Sequence, residues 1–205
     1  MATLTRTLQQ NSWLIYAALF VVLAVLLVLS PAEAILGNVV KIVYAHGAAE
    51  RVATYAYLLA GGLGVAYLAL KRESLARWTQ AIAETAIVFW LAQFVISAPA
   101  QVLAWGAFTL SEPRVASALV ILIATASVYV VARWLGDPTW MSFAVIANAA
   151  IFVIVLRGAI NILHPVDPIV GSDSPAIKIF YAAIVMVMGL LAAQFARDRA
   201  VKTAV

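Results

Sequence analysis

Six apolar runs, each close to the length that crosses a lipid bilayer, constrain this 205-residue chain more than any other feature. A hydrocarbon core about 30 Å thick takes about 20 helical residues at about 1.5 Å each. The runs predict spans at roughly 13–29, 48–70, 78–98, 115–132, 140–163 and 176–195. Their ends are marked by breakers and charges: Ser30-Pro31, Lys71-Arg72-Glu73, Pro99, Arg133, His164-Pro165, and the cations Arg197, Arg199 and Lys202. The fold class read from this pattern is all-α. It is a polytopic integral membrane protein with one six-helix transmembrane domain over residues 1–205.

Composition agrees. Hydrophobic residues make up 65% of the chain and charged residues 11%, whereas a soluble domain is nearer half and a quarter. The lack of cysteine excludes disulfides, thiolate haem ligation and cysteine-ligated iron–sulfur clusters. Arg6 ahead of the first apolar run, with Ala32-Glu33-Ala34 after it, has the outline of a signal peptide. The run 13–29 is long for a signal, so it reads as a retained span.

Orientation follows from Lys and Arg, which accumulate on the inner side. With the N-terminus inside, Arg6, Lys71, Arg72, Arg77, Arg133, Arg197, Arg199 and Lys202 are inner. Lys41, Arg51, Arg114 and Lys178 are outer, and Arg157 lies within the fifth span. Both termini are therefore expected inside, and connections 30–47, 99–114 and 164–175 outside. The net charge of +4 is accounted for as loop charge and does not indicate a nucleic-acid surface.

The chain has two histidines, His46 and His164. Each falls at an outer helix end, one beside span two and one closing span five. The residue before a proline is biased out of the helical region, so His164-Pro165 marks a helix end. Arg157, Asn161 and His164 then share one face of span five by their spacing. Polar stripes on membrane helices face protein or a cavity. Arg157 is expected about 10 Å below the helix end, paired with a haem propionate or a carboxylate, or snorkelling outward within the bundle. Glu50 and Thr54 continue the face of His46. Two facing histidines without cysteine suggest a single metal centre, with haem iron the first candidate. The plain alternative for each is a solvated or capping histidine.

Other polar and aromatic groups have weaker readings. Trp105 and Phe108 stand in an outer connection, where they form either a platform for a flat apolar ligand or part of an interfacial aromatic belt. Glu84, two turns into span three, is expected to pair with another helix or to be protonated. Gly61, Gly62 and Gly64 are expected to allow close helix packing, and Met186 and Met188 to fill the core. No phosphate-binding glycine loop, hydrolase-like carboxylate pair or acyl-transfer triad can be assembled. A closed structural zinc site lacks ligands.

Three outer segments, in order, resemble a known family. Lys41-Ile42-Val43-Tyr44-Ala45-His46 resembles a first histidine segment: a basic residue, then apolar-Tyr-x-His. Trp105-Gly106 and Glu112-Pro113-Arg114-Val115-Ala116-Ser117 resemble a tryptophan-rich loop and its exit into span four. Asn161-Ile162-Leu163-His164-Pro165 resembles a second histidine segment. Together these resemble CcmC, the haem-handling membrane protein of cytochrome c maturation. The resemblance implies His46 and His164 as axial ligands of a b-type haem at the outer face of the cytoplasmic membrane. It implies Trp105 and Phe108 as loop contacts; Tyr44, Arg114, Arg157 and Asn161 are further candidate cofactor-binding residues.

It also implies transfer of haem to a chaperone or other cytochrome c assembly partner. The loop departs from the family: only Trp105 remains of its tryptophans, Phe108, Thr109 and Ser111 stand where others are expected, and Glu112 stands for Asp. Gly158-Ala159-Ile160 replaces a Glu-Trp-Trp before the second histidine. Two further readings follow: a haem b electron-transfer subunit working with other membrane subunits of a respiratory or photosynthetic complex, and a cofactor-free membrane scaffold.

Overall fold

A computed structural model describes residues 12–160, 169 and 171–202. Among them are six helices: α1 (Ser12–Leu29), α2 (Val40–Leu70), α3 (Glu73–Trp105), α4 (Pro113–Leu135), α5 (Pro138–Gly158) and α6 (Pro175–Lys202). All six are long and apolar enough to span a membrane. Among the described residues there is no strand, only an antiparallel bridge between Glu33 and Gly37 in the α1–α2 connection.

Local chemistry sets the helix ends. Glu112 caps α4 by accepting from Val115 N at 2.8 Å, and Pro113 follows at the first helical position. Asp137 caps α5 the same way, accepting from Thr139 N at 2.6 Å ahead of Pro138. Proline costs nothing there, since its missing N–H is one of the helix's unpaired donors. Gly136, at φ +71°, closes α4 in the left-handed region that glycine enters without strain.

The sequence boundaries shift in three places. Helix α2 begins eight residues before the expected Ala48, so His46 lies in its second turn and not at its start. Helix α3 runs through Pro99 to Trp105. A proline inside a membrane helix is tolerated where neighbours satisfy the freed backbone. Helix α5 stops at Gly158, with Ala159 extended at φ −69°, ψ 111°. The connections 30–39 and 106–112 are therefore shorter than expected; between α5 and α6 the structure describes residues 159–160, 169 and 171–174.

Helix α2 is the centre of the bundle. It packs most extensively on α3, and also on α5, α6 and α1. Its meeting with α5 depends on glycine. A Cβ on Gly64 would lie 2.6 Å from Val145 Cγ2 and 2.9 Å from Ser142 O, and one on Gly61 2.8 Å from Ala149 Cβ. Gly62 faces open space. Small residues let the two backbones approach, which is how membrane helices gain packing energy without a hydrophobic driving force. Next to this seam, Tyr57, Trp90 and Phe152 cluster: Tyr57 stacks on Phe152 at 5.0 Å and Trp90 meets Phe152 edge-on at 5.2 Å. Tyr57 Oη bonds Thr125 Oγ1 at 2.8 Å, and Trp90 Nε1 donates to Ala118 O at 2.9 Å, so the buried polar atoms of both rings are satisfied.

Candidate functional site

Residues of the connections 30–39 and 106–112, and described residues between α5 and α6, line one cavity of about 530 Å³. Glu33, Ile35 and Leu36 line it from the first, Glu112 from the second, and Ile169, Gly171, Ser172 and Asp173 from the third. The cavity also reaches Trp90, Ala118 and Leu156 within the bundle. Its volume falls in the range, about 300–1,000 Å³, that cofactor and small-molecule sites occupy.

A chain of polar contacts crosses the wall between three helices. His46 Nδ1 (α2) lies 3.1 Å from the carbonyl oxygen of Gln93 (α3). His46 Nε2 lies 3.9 Å from Glu50 Oε2, one turn along α2. Arg114 Nη1 (α4) donates to Glu50 Oε1 at 3.4 Å. A carbonyl can only accept, so in the neutral ring Nδ1 carries the proton and Nε2 keeps its lone pair. Glu50 is too far from Nε2 for a hydrogen bond. An imidazole held by a carbonyl at one nitrogen and free at the other is prepared for a metal.

A second row of polar groups lies on α3. Gln93, Ser97 and Gln101 follow one another at four-residue steps, are 2%, 7% and 5% exposed, and all line the cavity. Ser97 Oγ is satisfied by Phe94 O at 2.7 Å. Gln93 Nε2 and Arg114 Nε have no partner among the described residues. This row escaped the sequence reading. The signal was present, as three polar residues on one face of an apolar span, but span three was expected to end before Gln101.

Acidic groups around the cavity are held by backbone. Glu33 accepts from the N–H groups of Leu36 and Ile35, each at 2.8 Å, and these hold its carboxyl below the usual glutamate range. Glu112, 3% exposed, is engaged as the α4 cap.

Of the residues singled out in the sequence, the cavity gathers Tyr44, His46, Trp105 and Arg114. Tyr44 is fully buried, with its hydroxyl on Pro31 O at 3.2 Å. Trp105 ends α3 and is 57% exposed. Phe108, 38% exposed, does not line the cavity. Asn161 and His164 lie outside the described residues. The expectation for Arg157 needs correction. It sits exposed in the last turn of α5, one residue before the helix stops, and not about 10 Å below the helix end. Glycine at 158 is a poor helix former, and the extended Ala159 interrupts the helical face that was to join Arg157 to Asn161 and His164.

The opposite end of the bundle also holds polar groups, several of them paired across helices. Glu84 (α3) accepts from Arg199 of α6, from Tyr129 of α4, and from Gln80 Nε2 at 3.1 Å. Arg133 donates to Gln80 Oε1 at 3.2 Å. Of the two sequence expectations for Glu84, pairing with another helix is the one found. Asp198 joins α6 to α1 by accepting from Ser12 at 3.2 Å and Tyr16 at 3.1 Å.

Fold and site together define, over the described residues, a six-helix membrane protein with a partly open cavity at one end, whose wall carries a histidine with Nδ1 facing a backbone carbonyl. No family model and no curated protein matches the chain.

Proposed function

We propose that this is a b-type haem-binding membrane protein, holding haem in the cavity at the outer face for delivery to cytochrome c assembly. The observation that carries the reading is His46: its Nδ1 faces a carbonyl, its Nε2 makes no hydrogen bond among the described residues, and it stands on the wall of a cofactor-sized cavity. Among the described residues no group of three or more His, Asp or Glu could cage a bare ion. A lone imidazole suits an iron whose other ligands come mostly from a porphyrin.

The residues present fit that group. Tyr44, Trp90, Leu156 and Ile177 supply apolar wall, and Trp105 lies at once on the cavity and in solvent. His164 is the second axial ligand in this reading. It precedes Ile169, a cavity residue, by five positions in the sequence. Haem bound there is cargo, passed to a chaperone or assembly partner. The protein's part is to orient it through His46 and to keep water from its faces.

A second reading is supported by the depth of the cavity, which extends to Trp90 and Ala118 and not merely across a surface. A resident haem in such a place would serve electron transfer in a larger membrane complex. A strain lacking the protein separates the two. Delivery predicts loss of covalent c-type cytochromes by haem-stained gels. Normal c-type content with impaired electron flow gives the second reading, and normal values of both remove both.

A further inference from the structure

Four buried side-chain polar atoms lack a hydrogen-bond partner among the described residues: Thr79 Oγ1, Gln93 Nε2, Arg114 Nε and Asn148 Oδ1. Gln93 and Arg114 line the cavity, and their unpartnered atoms are both N–H donors. No buried side-chain oxygen on its wall is left unpartnered among the described residues. Buried donors are nearly always satisfied, so the imbalance describes what the cavity takes in. Its occupant brings acceptor oxygens.

We propose that Gln93 is a specificity residue of this cavity, whose buried side-chain amide donates to a carboxylate of an otherwise apolar, planar occupant, with Arg114 Nε as a second donor. This rests on the haem reading for the shape of the occupant and adds the end by which it is recognised. Gln93 is well placed for it. Its backbone carbonyl holds His46 at 3.1 Å while its side chain is 98% withdrawn from solvent, so one residue sets both the imidazole and the donor. The acidic side chains of the wall do not oppose a carboxylate here. Glu50 is met by Arg114 at 3.4 Å, Glu33 and Glu112 are turned onto backbone N–H groups, and Asp173 is exposed to solvent. The remaining wall near Gln93 is the aromatic and aliphatic surface of Trp90, Ala118 and Leu156, suited to a flat ring system.

The test uses two metal-free porphyrins and the full-length protein in detergent. Mesoporphyrin IX carries two propionates; etioporphyrin has the same ring with alkyl groups only. The wild type should bind mesoporphyrin about ten- to hundredfold more tightly than etioporphyrin by fluorescence, the range a hydrogen bond to a charged acceptor supplies. Gln93→Met should lose most of that preference and leave etioporphyrin binding unchanged. It should also unfold at the same or a higher temperature without ligand, because it removes an unpartnered donor; a merely structural glutamine would lower it. Unchanged mesoporphyrin affinity in Gln93→Met overturns the inference. Haem binding that depends on His46 but not on Gln93 leaves the haem reading standing without it. Gln93-dependent mesoporphyrin binding, with haem binding indifferent to His46→Ala, keeps the inference and removes iron ligation. Absence of binding by either porphyrin and by haem ends both.

Discussion

The two ends of this bundle are built from the same kinds of residue and use them oppositely. At the end where α1 begins and α6 ends, Glu84, Arg199, Tyr129, Gln80 and Arg133 form a network across α3, α4 and α6 in which each group answers another. At the cavity end, Arg114, Glu50, His46 and Gln93 also run across three helices, but among the described residues donors are left over and His46 Nε2 makes no hydrogen bond. Buried polar groups in a membrane are costly unless paired. A closed network therefore reads as fastening, and an open one beside a cavity as binding. Neither end could be classified from residue types alone.

Breaking the closed end should cost stability and spare binding. Glu84→Ala removes the acceptor shared by Arg199, Tyr129 and Gln80. Breaking a buried ion pair costs about 3–5 kcal/mol; with Arg199 40% exposed, solvent screening reduces the expectation to about 2 kcal/mol. The check is thermal or denaturant unfolding in detergent, alongside haem affinity. A stability loss with equal affinity upholds the contrast; lost affinity in a stable variant would join the two ends functionally.

A smaller effect is expected at the α2–α5 seam between them. Gly64→Ala places a methyl 2.6 Å from Val145 Cγ2 and 2.9 Å from Ser142 O, and overpacking of this kind costs about 1–3 kcal/mol. Gly62→Ala meets nothing within 4 Å and should be neutral or slightly stabilising, since alanine outranks glycine in helices. Equal unfolding temperatures for the two variants would show that close approach at Gly64 does not hold the seam.

The fold was legible in the sequence because membrane-spanning length is a strong signal: all six spans exist, and breakers or cations lie near most of their ends. What was misjudged concerned proline, glycine and the entry to α2. Pro99 looked like a stop, but the helix continues six residues past it, because a protein-lined wall can absorb a missing backbone donor. Span five was expected to run to Leu163, yet α5 ends at Gly158, so Arg157 stands at the helix end. The site was partly legible. Two histidines in a cysteine-free membrane chain pointed to His46, and the structure brings Tyr44, Trp105 and Arg114 to the same cavity. Gln93 was not found, because the role proposed for it combines a backbone carbonyl, invisible in a sequence, with a side chain whose neighbours come from other helices.

The most direct test of the central claim is a reduced-minus-oxidised spectrum, with pyridine haemochrome quantitation, on purified wild type and His46→Ala. The account predicts b-type haem in the wild type at up to about one per chain, retained or taken up on addition. In His46→Ala the bis-histidine spectrum should be lost while the unfolding temperature of the ligand-free protein stays the same. Identical haem spectra and contents in the two proteins would contradict it.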